Sequence, residues 1–351
     1  MSDLSKQAGF LSIAEFFRFF VKTIIGIVLA RILIPADLGS YRQLFLIYTT
    51  LSTILFLGIP QSMLYFIPKA SNPDETKRII TRTLNLISVL AIICSVVIIL
   101  TRSTISQRFN NPDLNNLLLI YSIYPLFMFI TQIHNSVMLG LKEPRRVARF
   151  TLFSVLSDFI IILSVALFTK NISLIVWSVI VSASLQWVYA SISLHKYRDQ
   201  FSFNHFHGVR TQLSYTIPLG VSSIVGILSI QLDKFMVSGF FTPAQFAVFS
   251  IGAMELPFIG ILVNSVNSIL LPNMGSKDIS KMGEIYSASV RKNSLLVFPL
   301  TLLFYIFSSE IIVFFYGSSY LEAASFFRIY LLILPLRIAT YGIIFQAVGK
   351  T

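Results

Sequence analysis

Glu15, Arg18 and Lys22 stand at i, i+3 and i+7 inside an otherwise apolar stretch running from about Phe10 to Leu33. On a helix that spacing puts all three on one face. Two cations and one acid on one face suit an anionic ligand, a pyrophosphate or an acidic sugar, held by charge-assisted hydrogen bonds. A structural reading stands beside it, in which Glu15 pairs with Arg18 and Lys22 stretches toward water. Other charges interrupt later apolar runs: Asp158, the adjacent Asp233 and Lys234, Glu255, and Arg337 two residues after Pro335. Charges at such places are costly and mark ligand or ion pathways. The substrate-binding candidates are therefore Arg18, Lys22, Glu15, Asp233, Lys234 and Arg337. Glu255 and Asp158 are the ion-coupling candidates. Glu310 and Arg328 fall near expected helix ends and read as interfacial.

Other chemistries find no support in the residues. His134, His195, His205 and His207 do not form a metal signature. Cys94 is the single cysteine, so no intrachain disulfide or multi-cysteine metal site is expected. There is no phosphate-cradling glycine loop, which argues against ATP as the direct energy source. No serine, cysteine or carboxylate arrangement suggests a nucleophile. The expectation is a protein that is not an enzyme and carries no cofactor.

The elements that must hold these charges are set by composition. Of 351 residues, 55% are hydrophobic and 12% charged, and the mean hydropathy is +0.78. A soluble domain has about 25% charged residues. At half that share the chain cannot cover a water-facing surface, and a bilayer must take the apolar excess. The net charge of +12 lies mostly in short loops between apolar runs. It therefore reads as the positive-inside bias rather than as a nucleic-acid surface. The first apolar stretch has charges in its interior and no small-residue cleavage site after it, so it reads as a mature span rather than a signal peptide.

A helical span needs about 20 apolar residues. Ten candidates follow, near 10–33, 41–67, 79–100, 115–139, 150–169, 172–194, 213–238, 244–271, 294–316 and 325–349. With the N-terminus cytoplasmic, the cytoplasmic segments hold 17 Lys and Arg and the opposite side 5. That asymmetry puts both termini in the cytoplasm. Pro60, Pro125, Pro218, Pro257, Pro299 and Pro335 fall within the spans and predict kinks.

The chain also echoes itself. LARILIPADLGSYRQLF, Leu29 to Phe45, returns as MVSGFFTPAQFAVFSIG, Met236 to Gly252, at an offset of 208. The offset maps Pro35 onto Pro243, the first four spans onto the last four, and Lys142 onto Lys350. Six spans separate the repeat starts, an even number, so both copies face the same way. Parallel repeats about an axis along the membrane normal are expected, as in transporters that rock two halves around a central site. The turn between the first two spans is stopped by Pro35, and Gly39 permits close backbone approach. The fold class is thus an all-α polytopic membrane protein of about ten transmembrane helices in two parallel repeats. Residues 1–212 form a six-helix bundle and 213–351 a four-helix bundle. Residues 144–194 have no second copy, so the expectation is that the second repeat lacks its last two helices through C-terminal shortening.

These segments carry a family resemblance. LARILIPADLGSYRQLF followed by LGIPQSMLYFIPKA, then GLKEPRR at Gly140 to Arg146, resembles bacterial polysaccharide flippases of the multidrug/oligosaccharidyl-lipid/polysaccharide exporter superfamily. DKFMVSGFFTPAQFAVFSIGAMELP, Asp233 to Pro257, is similar to the family's second-half signature, with Ala247 and Phe249 where glycine and tyrosine are frequent. The resemblance implies about 12 to 14 spans in a complete member. It implies a cargo of undecaprenyl-pyrophosphate-linked oligosaccharide: an O-antigen, capsule or exopolysaccharide repeat unit. It also implies a bacterial cytoplasmic (inner) membrane location, alternating access, a monomer and contact with membrane lipids. A polysaccharide polymerase is a candidate partner, including in lipopolysaccharide synthesis. Two rivals remain open. A multidrug cation antiporter of the same superfamily predicts a carboxylate-rich cavity. A membrane-embedded polymerase or transferase predicts a long external loop with catalytic residues.

Overall fold

The structure, a computed structural model, describes residues 3–198, 208–254 and 279–338. Helices account for nearly all of them, and no strand occurs among the described residues. The chain divides into two compact units, Met1–Ala247 and Val248–Thr351.

The first unit opens with α1, Asp3–Ile32, a 30-residue helix. After a short turn come α2, Pro35–Phe56, and α3, Ile59–Lys69. Then follow α4, Pro73–Arg108, α5, Asp113–Tyr121, and α6, Tyr124–Gly140. The helices α7, Pro144–Thr169, α8, Ile172–His195, and α9, Val209–Phe240, complete the long elements. Prolines sit in the opening turn of α2, α4 and α7, where a missing N–H leaves no hydrogen bond unmade. Asn72 caps α4 by accepting from the Glu75 N–H at 2.8 Å. Asn171 caps α8 through the Ser173 N–H at 2.9 Å.

The expected second span is broken. Leu57 and Gly58 both have left-handed backbones, at φ 45° and 72°. Glycine adopts this readily and leucine does not. Pro60 follows in the first turn of α3 and cannot return an N–H to the Phe56 carbonyl. The sequence LGIP therefore ends one helix and starts another. Pro125 acts similarly at the start of α6, where α5 and α6 meet at 50°. Pro218 and Pro299 stay inside their helices, Pro335 opens a 3-10 turn, and Pro257 lies outside the described residues.

The core of this unit is apolar and aromatic. Leu29, Leu44, Ile80, Ile87 and Phe129 are fully buried. Tyr48, Tyr121, Tyr124 and Phe45 form a ring cluster, with Tyr121 and Tyr124 stacked at 4.7 Å between centroids. The outside is apolar too: Phe168 is 89% exposed, and Leu100 and Ile192 are similarly bare. Such a surface belongs in hydrocarbon rather than water.

The two echoing turns touch. A Cβ on Gly39 would overlap the Pro243 carbonyl oxygen, so only glycine fits there. Helix α9 is fastened at both ends. Near its start, Gln212 is buried, accepts from Arg82 Nε at 3.1 Å and donates to Ser62 Oγ at 3.0 Å and Thr83 Oγ1 at 2.9 Å. Tyr215 stacks on Tyr65 at 4.4 Å. Gly220 approaches Leu57 so closely that a Cβ would sit 2.5 Å from its Cα. At the far end, Asn110 Nδ2 donates to the Gly239 carbonyl at 3.2 Å.

Helix α10, Pro243–Gly252, runs across the division between the units. The second unit continues with α11, Ile279–Ile306, α12, Ser308–Tyr316, and α13, Ala323–Leu331. Gly252 packs against α13, where a Cβ would overlap the Ala323 carbonyl oxygen. Arg328 Nη2 donates to Ser309 Oγ at 3.1 Å, joining α13 to α12.

Among the described residues, five helical stretches are long and apolar enough to cross a membrane, or seven if each of two bent pairs counts as one span. These seven match the second to seventh and the ninth expected spans. Helix α1 has the length, but Glu15, Arg18 and Lys22 interrupt its apolar run. Much of the expected eighth and tenth spans lies outside the described residues. The stretch between the eighth and ninth expected spans is partly helical, because α11 already starts at Ile279.

Candidate functional site

Helix α1 packs along α7, and α7 along α8. Between them and α6 lies a cavity of about 110 Å³. At roughly 10–15 Å³ of such volume per water it is large enough for several waters. Its charged lining is Arg18 and Lys22 from α1 and Asp158 from α7. The i, i+4 step from Arg18 to Lys22 sends both side chains to the same wall. Arg18 also pairs with Glu15 one turn back, and both stay partly exposed. Lys22 is an exposed residue of α1 that lines this cavity, and Asp158 is its principal opposite charge.

Asp158 is held from the α8 side. Its Oδ1 accepts from Ser182 Oγ at 2.6 Å and from Gln186 Nε2 at 2.8 Å. Gln186 also reaches Ser157 Oγ at 3.3 Å, and Ser157 and Ser182 share a hydrogen bond of 3.1 Å. The carboxylate is thus fixed in position by donors, with its charge answered across the cavity by Lys22. The α6 wall is neutral and polar. Gln132 Nε2 donates to Tyr48 Oη at 2.9 Å. Asn135 Oδ1 lies 3.3 Å from Nδ1 of the buried His134, whose Nε2 lies 3.1 Å from Ser193 Oγ.

The charges balance. Two cations meet two carboxylates once Asp158 joins Glu15. An anion entering this site competes with fixed acids for Arg18 and Lys22. The excess of cations read from the first helix alone does not describe the assembled site.

Of the sequence candidates, the structure brings Arg18, Lys22 and Asp158 to one cavity, with Glu15 joined through Arg18. Asp233 and Lys234 sit on α9, away from this lining. The Lys234 N–H donates to Asp233 Oδ1 at 2.7 Å, and its Nζ donates to the Ile230 carbonyl at 3.1 Å. Arg337 belongs to the 3-10 turn Pro335–Ile338, and its side chain lies outside the described residues. Glu255 also lies outside them. Gln132, Gln186 and Tyr124 carry no charge to single them out in the sequence. The available signal is an amide within an apolar run, since an amide in a membrane interior also needs partners.

A family model described as polysaccharide biosynthesis protein matches residues 28–325. The capsular polysaccharide biosynthesis protein CapF of Staphylococcus aureus is 23% identical over 278 residues, covering 77% of this chain. The chain spans 65% of CapF's length. Among solved structures, the lipid II flippase MurJ in an inward closed conformation superposes with a TM-score of 0.77 at 17% identity, over 97% of this chain and 76% of MurJ. An inward-facing multidrug resistance MATE family transporter of the MOP superfamily gives 0.76 at 14% identity, over 95% of this chain and 81% of that one. The fold is therefore that of MOP-superfamily transporters, in a multi-pass membrane protein. With the family model matched over residues 28–325, the chain belongs to the polysaccharide biosynthesis protein family.

Proposed function

We propose that this protein flips an undecaprenyl-pyrophosphate-linked oligosaccharide across the bacterial cytoplasmic membrane by alternating access. The single observation that carries the reading is the cavity holding Arg18, Lys22 and Asp158 among polar, uncharged walls. The lipid tail stays in the bilayer. The pyrophosphate draws Arg18 and Lys22, by charge-assisted hydrogen bonds stronger than neutral ones. Asp158, stripped of its counter-charge, takes up a proton or another cation, and that exchange couples transport to an ion gradient. Glu255 is a second candidate for coupling. Asp233, Lys234 and Arg337 are candidates for the head group's path. The two bundles expected from the repeat, 1–212 and 213–351, alternate access to the substrate, with the charged cavity carried by the first and both termini cytoplasmic, and the protein works as a monomer beside a polysaccharide polymerase.

A cation antiporter is the second reading, supported by the likeness to MATE transporters and by the hydrogen-bonded Asp158. The two differ in what Arg18 and Lys22 do. Genetic complementation of a strain lacking its own oligosaccharide flippase tests this, with surface polysaccharide as readout. Arg18→Ala and Lys22→Ala should each abolish rescue while membrane insertion persists. Full rescue by both variants would remove these residues from the site, and drug efflux by the wild type would then favour the antiporter.

A further inference from the structure

The charged cavity has an uncharged neighbour. A second cavity, of about 240 Å³, is lined by Thr53 and Phe56 of α2, Gly58, Pro60 and Gln61 at the break into α3, Gln132 of α6, and Ser223 of α9. Gln132 also lines the charged cavity. One amide therefore stands in the wall of both. The first cavity holds Arg18, Lys22 and Asp158, and the second holds no charged side chain among the described residues.

We infer that the two cavities are adjoining subsites of one substrate. The charged one takes the pyrophosphate, and the neutral one takes the first sugar attached to it, which must itself be uncharged. The inference rests on the flippase reading and adds the chemistry of that sugar.

Three features carry it. First, a hydroxyl-rich ring is recognised by groups that both donate and accept, and amides and hydroxyls do both. Gln61, Gln132, Thr53 and Ser223 provide two of each. Second, the helix break adds backbone. Pro60 cannot serve the Phe56 carbonyl, so the end of α2 offers an acceptor beside the cavity. Broken helices place unpaired backbone groups at substrate sites in membrane transporters. Third, a uronic acid here would meet no cation among the lining residues, so its carboxylate would gain no charged partner on entering.

The test uses the purified full chain in nanodiscs and three lipids. These are undecaprenyl pyrophosphate alone, the same lipid carrying N-acetylglucosamine, and the same lipid carrying glucuronic acid. Affinity is read by native mass spectrometry. The neutral sugar should tighten binding over the bare pyrophosphate by about 10-fold, the worth of one to two hydrogen bonds. Glucuronic acid should give no such gain. Gln61→Leu and Thr53→Val should each lower the sugar-dependent gain about 5-fold. Gln61 is exposed, so Gln61→Lys should fold and shift preference toward glucuronic acid. If bare pyrophosphate binds and neither sugar changes the affinity, the sugar subsite is overturned while the head-group reading stands. Equal gains from both sugars, or gains that ignore Gln61 and Thr53, overturn it as well. If no lipid pyrophosphate binds, both readings fall together.

Discussion

Asp158 shows how one residue changes meaning once its neighbours are known. In sequence it is an isolated acid in an apolar run. In the fold it accepts hydrogen bonds from Ser182 and Gln186 and faces Lys22 over a small cavity. Its geometry is held by groups that an asparagine carbonyl could equally satisfy. Asp158→Asn should therefore keep the local structure and delete only the charge. In proteoliposomes the wild type should respond to a proton gradient, each pH unit being worth about 1.4 kcal/mol per proton. The variant should transport at a rate that no longer depends on the gradient. A gradient response unchanged from wild type would assign coupling elsewhere. Arg18, Glu15 and Lys22 need no fold to be noticed, because three charges at helical spacing in an apolar run are conspicuous. Gln132 and Gln186 are hidden, since nothing in an amide's identity says which cavity it reaches.

Helices make the site by how they break and how closely they approach. The α2–α3 interruption follows from local chemistry, a glycine with positive φ followed by a proline. What the break opposes follows from packing alone. Gly220 of α9 presses on Leu57, and Gln212 two turns earlier ties α9 to α3 and α4. Replacing Gly220 by valine forces a Cβ to within 2.5 Å of the Leu57 Cα. Gly220→Val should cost about 1–3 kcal/mol, the usual penalty of overpacking. It should lower the thermal unfolding midpoint in detergent, whereas Ser214→Ala on the exposed face of the same helix should leave it nearly unchanged. Equal midpoints for both variants would mean that this contact does not hold α9. Hydropathy does not register this reversal of backbone hand within the second span, although Pro60 marks where a kink is expected.

For the whole molecule, composition demands a membrane and the distribution of Lys and Arg predicts an orientation. Seventeen such residues lie in segments assigned to the cytoplasm and five opposite. Cys94 is buried, so single cysteines can be introduced over a quiet background. Arg108→Cys and Asn116→Cys should react with a membrane-impermeant maleimide in intact cells. Arg78→Cys and Arg145→Cys should react only after lysis. The reverse pattern would invert the topology and put the Lys22 end of α1 on the other side. The two echoing turns meet where Gly39 lies against Pro243, the counterpart of Pro35.

By itself the sequence determined an all-helical membrane protein, its family and the charged face of its first helix. The first and last depend on composition, periodicity and spacing along one chain, and the family on the resemblance of short contiguous segments; none of these needs packing partners. Tertiary structure decided that Asp158 stands against Lys22, that the site is charge-balanced, and that Gln132 belongs to two cavities. Those are relations between residues far apart in the chain, as with Lys22 and Gln186 in one lining. Apolar helices can pair in many registers at similar burial, so only the packed bundle selects which polar groups meet.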